Sequence, residues 1–217
     1  MTITYLIVRH GEAEGNREHR FIGQTDVPLS ELGVAQANAV SAALADRGVT
    51  AIISSDLRRA SDTVTPLSEQ TGIPIKLEPD LREIANGEWK GLLPEEVAER
   101  WSEMWQRYRS GEDLARPGGE RWQDVADRAV RAIETDTEGR TDGDVVVVGT
   151  HGGPTLALVK WITGHSISGG LFGGPYGPVS NGSITTIELP SMLLIGLNDV
   201  RHLGKLGRRT ESPFKRA

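Results

Sequence analysis

Val145 to Val148, inside "DVVVVGTHGG", is an unbroken run of β-branched apolar residues. Successive side chains of a strand point to opposite faces of its sheet, so a strand apolar at every position needs cover on both faces. Helices packed over a parallel sheet provide that cover. "ITYLIVR" reads as a first strand, "LSELGVAQANAVSAALADRG" as a helix opened by Ser30 and closed by Gly48, and "AIISS" as a second strand. "LRRASDTVTPLSEQTG" follows as a helix and "IPIKLEP" as a short strand. Strands alternating with helices predict an α/β three-layer sandwich with a mostly parallel central sheet.

Further along, Val97, Trp101, Met104, Trp105 and Tyr108 recur at helical spacing between Pro94 and Ser110, with Pro94 in the first turn where a missing N–H costs nothing. A second stripe, Trp122, Val125, Ala126, Ala129, Val130 and Ile133, predicts a helix after Gly119. "SITTIEL" and "SMLLIGL" read as strands of a hairpin around Pro190, and "GGLFGGPYG" as a mobile loop. No tandem repeat is present, and 217 residues suit one sizeable domain.

Composition removes several classes of function. The chain has no cysteine, which excludes disulfides, thiolate metal sites and thiol nucleophiles and fits a cytoplasmic location. No apolar run is long enough to span a membrane, and the N-terminus lacks a basic leader. The segment from 204 to 217 carries five basic residues and one acid, so a chain of net charge −6 has a body, residues 1–203, at −10. An acidic body argues against a nucleic-acid partner, and the basic tail reads as a disordered terminus. Neither GxGxxG after a strand nor GxxxxGK[ST] is present, so no nucleotide cofactor is implied.

Two of the five histidines, His10 and His151, stand directly after a strong strand and directly before glycine. His19, His165 and His202 lie in loop-like or terminal contexts and read as surface or structural. Ligands of parallel sheets bind beyond the carboxyl ends of the strands, where Arg9, His10 and His151 would share one crevice. Arg58 or Arg59, just after the second strand, would join them. Guanidinium forks match phosphate oxygens and imidazole is a neutral nucleophile near pH 7, so this inventory suits a phosphate monoester.

"VRHGEAEGN" resembles the RHG signature of the histidine phosphatase superfamily, the phosphoglycerate mutase-like group. "GQTDVPLSELGVAQA", "SSDLRRASDT", "LREIANGEWKGL", "PGGERWQDVADR", "GTHGG" and "NDVRHL" follow in the order of its small phosphatase branch. The resemblance runs from Thr4 to about Leu203. It implies one antiparallel strand near the sheet edge, a single domain over 1–203 and a small helical lid at about 92–120. It also implies that His10 is the nucleophile, that Arg9, Arg59 and His151 clamp the phosphate, and that Glu83 protonates the leaving alkoxide and then activates water. Asn16, Gly23 and Gly152 complete the implied phosphate- and substrate-binding set, and no metal or other cofactor is implied. Arg58 competes with Arg59 and Glu88 with Glu83; the motif favours Arg59 and Glu83. Glu12 reads as a solvated loop carboxylate, and Gly11 as room for substrate and a sharp turn.

The expected activity is metal-independent hydrolysis of small phosphorylated metabolites, sugar phosphates or phosphoglycerate derivatives, through a phosphohistidine. Two alternatives are a cofactor-dependent phosphoglycerate mutase and a non-catalytic phosphate-binding module. Against the mutase, the chain has "REIANGEWKGL" where mutases have an "ERHYG"-like motif, and Ile22 where they have a hydroxyl residue. A metal hydrolase using His10, Glu12 and His151 lacks an HExxH motif, and two arginines would repel the cation. Substrate choice is expected from Trp101, Trp105, Arg107, Tyr108 and Arg109 and from the loop near Phe172 and Tyr176. The partner is a small phosphate ester. Oligomeric state is not legible, a homodimer being one assembly open to the chain.

Overall fold

The computed structural model describes residues 1–16, 18–167 and 175–207. Six strands form one sheet: β1 (Ile3–Arg9), β2 (Ala51–Ser54), β3 (Ile75–Leu77), β4 (Val145–Thr150), β5 (Ile184–Leu189) and β6 (Leu193–Asp199). Their order is β3-β2-β4-β1-β5-β6. Of these, β5 alone runs opposite to the other five, next to the edge, as expected.

The valine run is β4, between β2 and β1. Val146 and Val148 pack with Tyr5, Ile7, Ala129, Ile133 and Leu158 on one face. Val147 packs with Leu6, Val8, Val40, Leu44, Val64 and Leu67 on the other. The helices behind these contacts are α5 (Trp122–Glu138) and α6 (Gly152–Ile162) on the first face, and α1 (Glu31–Leu44) and α2 (Arg58–Thr71) on the second. All three valines are fully buried, which is why alternation is lost there.

Local chemistry accounts for most helix ends. Ser30 caps α1 by accepting the Gly33 N–H at 3.2 Å, and Gly72, left-handed at φ 74°, ends α2. Helix α1 stops at Leu44, short of Gly48. The stretch read as one helix from Pro94 to Ser110 is two, α3 (Pro94–Arg100) and α4 (Ser102–Arg109), broken at Trp101 with φ −131° and ψ 54°. Helix α6 had no counterpart in the sequence reading, because "HGGP" looks like a turn. Pro154 sits in its first turn, where no intrahelical bond is lost.

Between β3 and α5 the chain makes two short 3₁₀ turns, Pro79–Leu81 and Gly87–Trp89, then α3 and α4. Trp89 is buried among Phe21, Trp101, Trp105 and Tyr108, so these aromatics pack on one another. Asp113 closes the segment by accepting the Trp122 and Gln123 N–H groups at 2.7 and 3.0 Å, capping α5. A last 3₁₀ segment, Arg201–Leu206, contains the expected tail boundary at 204, and its Leu206 carbonyl accepts from Gln36 Nε2 at 2.9 Å. Residues 208–217, Phe172 and most of the "GGLFGGPYG" loop lie outside the described residues. No helix among the described residues is long and apolar enough to cross a membrane.

Candidate active site

Register brings the chemistry together. Arg9 pairs with Thr150 across β1 and β4, and Ser54 with Gly149 across β2 and β4. The next residues, His10, His151 and Ser55, therefore leave the sheet side by side at its carboxyl edge. The ladder continues one step beyond the strands, with His10 N–H on the Thr150 carbonyl at 2.9 Å and Ser55 N–H on the Gly149 carbonyl at 2.8 Å.

His10 is 4% exposed, and its Nδ1 lies 2.6 Å from the Gly11 carbonyl. A carbonyl only accepts, so Nδ1 carries the proton and the lone pair is on Nε2. Burial, then the charges of Arg59 and Arg9, hold the imidazole pKa well below its ordinary value. Neutral His10 is thus the ground state. Gly11 is required for a different reason than expected: a Cβ there would stand 2.6 Å from the Gly33 carbonyl of α1, so the room is for protein backbone.

The two histidine rings lie 5.1 Å apart, centroid to centroid, at 61°. His151 is fully buried, and its Nε2 is 2.9 Å from Ser55 Oγ. Ser55 Oγ also accepts the Leu57 N–H at 3.3 Å. That N–H takes one lone pair of the hydroxyl; its proton and its second lone pair both remain for Nε2, so the contact admits either His151 tautomer. The other ring nitrogen, His151 Nδ1, is buried with no hydrogen-bond partner among the described residues. Burial, Arg59, His10 and Arg9 also hold the His151 pKa well below normal.

Arg59, 2% exposed at the start of α2, donates Nη1 to the Thr25 carbonyl at 2.8 Å and Nη2 to the Gly23 carbonyl at 2.7 Å. Arg58 is exposed and its N–H binds Asp26, so of the two Arg59 is the one buried beside the strand ends. Arg9 donates to the Val179 carbonyl. Burial and Arg59 bring its pKa down to about 10, with Glu83 opposing, and it stays charged near neutrality.

Glu83 reaches the same place from the loop after β3. Its Oε1 accepts the Ile84 N–H at 2.9 Å and its Oε2 the Gly153 N–H at 3.2 Å, at the first turn of α6. A Cβ on Gly153 would lie 2.2 Å from Glu83 Oε1 and 2.8 Å from Trp122 Cζ3, so carboxylate and indole both press on that glycine. Glu88 is exposed. Asn16 Oδ1 accepts from the Ala13 N–H at 2.9 Å and from Asn181 Nδ2 at 3.4 Å, leaving its amide nitrogen as the group able to meet a ligand. Gly23 supports Arg59 through its carbonyl, and Gly152 opens α6 beside Arg9, where a Cβ would lie 3.5 Å from Nε.

The structure thus gathers Arg9, His10, Arg59, Glu83, His151 and Gly152. It corrects Glu12, which is 7% exposed and accepts the Ser30 hydroxyl at 2.9 Å. Ser55 and Asn181 were missed by the sequence reading. A serine after a strand carries no periodic signal. Asn181, which donates to the His10 carbonyl at 3.0 Å, arrives from 171 residues downstream.

The model of a family described as the histidine phosphatase superfamily (branch 1) matches residues 5–191. The chain is 34% identical over 208 residues to a metal-independent phosphoserine phosphatase of Arabidopsis thaliana, covering 93% of this chain and 84% of the relative. It is 36% identical over 165 residues to a glucosyl-3-phosphoglycerate phosphatase of Mycolicibacterium vanbaalenii, covering 73% of each. A 2,3-bisphosphoglycerate-dependent phosphoglycerate mutase of Allorhizobium ampelinum is 33% identical over 169 residues, 73% of this chain and 79% of the relative. Among solved structures, Bacillus stearothermophilus YhfR superposes with a TM-score of 0.84 at 29% identity, over 93% of this chain and 99% of that one.

Proposed function

Since the chain belongs to the histidine phosphatase superfamily, we propose that it hydrolyses small phosphate monoesters without a metal, through a phosphohistidine on His10. His10 Nε2 attacks phosphorus in line as the ester P–O bond breaks, and Glu83 gives its proton to the departing alkoxide. Glu83, now a carboxylate, takes a proton from water, and the water oxygen displaces the phosphoryl group from Nε2. Inorganic phosphate leaves and neutral His10 returns. Arg9, Arg59, His151, Asn16 and the start of α6 supply the positive potential and donors that the equatorial oxygens need. The segment 92–120 acts as the lid over this site.

The observation that carries the reading is the His10 Nδ1 contact with the Gly11 carbonyl beside two buried arginines. It supplies a nucleophile that is neutral, of one tautomer, and facing a cationic pocket. Hydrolysis is favoured over phosphoryl return to a second hydroxyl by Ile22, which is apolar and packs against Gly15. The named phosphatase relatives support a small metabolite as substrate. The lack of cysteine supports a cytoplasmic location.

The test is phosphate release from a panel of phosphoserine, 3-phosphoglycerate, glucosyl-3-phosphoglycerate and sugar phosphates in excess chelator. At least one ester should be turned over by the parent and by less than about a thousandth as much in His10→Ala, a loss typical of removing a nucleophile. Chelator-sensitive turnover, or turnover indifferent to His10, would overturn the reading.

A further inference from the structure

Glu83 lies in an irregular stretch. Residues 80–85 belong to no strand: the N–H groups of 80–82 bond locally to Glu78 and Pro79, while the carbonyls of 80–83 take partners from elsewhere in the fold. One ion pair serves three of the carbonyls and one N–H. Arg128, 9% exposed in α5, donates Nη1 to the carbonyls of Asp80, at 2.7 Å, and Arg82, and Nη2 to that of Glu83 at 3.0 Å. Its Nε and Nη2 also meet the two carboxylate oxygens of Glu120 at 2.9 and 3.1 Å. Glu120 Oε2 in turn accepts the Ala85 N–H at 2.7 Å, and the Glu120 N–H donates to the Ala85 carbonyl at 2.9 Å.

The two segments cross closely. A Cβ on Gly119 would lie 2.3 Å from the Ala85 carbonyl, and one on Gly87 would lie 2.0 Å from the Pro117 carbonyl. Gln24 Nε2 adds a bond to the Glu83 carbonyl at 3.0 Å, and Thr150 Oγ1 one to that of Leu81 at 2.8 Å. Neither of these touches both sides of the acid. Arg128 and Glu120 together hold the backbone from 80 to 85 while touching no reacting group.

We propose that Arg128 and Glu120 are a positioning pair for the general acid: they fix the backbone on both sides of Glu83 so that its carboxyl meets the leaving oxygen. A fork of five donors is needed because three carbonyls diverge from one irregular segment, a demand that an ammonium on a flexible stem cannot meet. The inference rests on the reading of Glu83 as the acid, and it adds residues that contact the acid's backbone and no reacting group.

Its signature is leaving-group dependence. A nitrophenolate departs without help, whereas an alkoxide needs the proton. The experiment measures kcat on p-nitrophenyl phosphate and on an alkyl phosphate such as phosphoserine, in one preparation each of the parent, Glu83→Gln, Arg128→Lys and Glu120→Gln. Both rates come from the same sample, so their ratio is independent of how much of a variant has folded. Arg128→Lys should lower the alkyl-to-aryl ratio at least tenfold, part of the roughly 10²–10⁴ that a positioned acid supplies, and Glu120→Gln should lower it in the same direction. An unchanged ratio in both variants, with Glu83→Gln lowering it, overturns the positioning role alone. An unchanged ratio in Glu83→Gln overturns the assignment of the acid and this inference with it.

Discussion

Single side chains in this site are tuned mainly by which lone pair or proton their neighbours leave over. The Gly11 carbonyl accepts the Nδ1 proton of His10, and the Ser55 hydroxyl engages Nε2 of His151, so two chemically identical rings leave different nitrogens over, Nε2 of His10 and Nδ1 of His151. Ser55→Ala removes the hydroxyl that holds the His151 ring. It should weaken binding of orthovanadate, a phosphate analogue, by about tenfold, in line with a lost charge-assisted hydrogen bond, read by inhibition of turnover. The cost in stability should be only about 1 kcal/mol. A variant with parent-like vanadate affinity would mean that His151 keeps its placement without the hydroxyl.

Elements meet in this fold through backbone as well as side chains. The turn after β1 passes so close to α1 that Gly11 faces the Gly33 carbonyl, which cannot rotate away as a side-chain tip could. Gly11→Ala should therefore lower the urea midpoint by an amount worth at least about 2 kcal/mol, through forced separation of the two elements. Gly139 at the end of α5 has φ −92°, and a Cβ added to it would meet nothing nearer than the Asp136 carbonyl at 3.8 Å. Gly139→Ala should stay within about 0.5 kcal/mol of the parent, as an uncrowded site does. Equal losses at both sites would show that packing at the β1–α1 crossing is looser than these distances imply.

At the scale of the whole molecule, two buried imidazoles that resist protonation link folding to pH. Both have pKa values lowered in the fold, His10 and His151 alike through burial first and neighbouring cations second. The unfolded chain takes up protons as pH falls through about 6.5 while the folded chain does not, so stability is full above that value and declines below it. Each group contributes a slope of up to about 1.4 kcal/mol per pH unit between that value and its folded pKa. Lowered carboxylates such as Asp56 and Asp199 lose their contribution only at more acid pH, which separates the two effects. Denaturation from pH 7.5 to 5 should show a falling midpoint, and His151→Asn should flatten the fall. A flat profile in the parent would contradict the folded-state neutrality of both rings.

What could be read without coordinates was whatever is local along the chain. The valine run declares a strand covered on both faces because burial acts on every residue of it, and His10 and His151 declare themselves because each follows such a strand directly. Helices opened by Ser30 and closed by Gly72 are likewise local, since caps act within one turn. The break at Trp101, the helix after "HGG", the burial of Glu12 and the roles of Ser55, Asn181 and Arg128 were not legible. Each depends on register or on a partner tens of residues away, where no spacing rule reaches. The amino-acid sequence alone determined which groups could do the chemistry. Only the tertiary structure decided which carbonyl, hydroxyl or guanidinium stands beside each of them, because sheet register and helix packing set those distances, and those distances set tautomer, charge and aim.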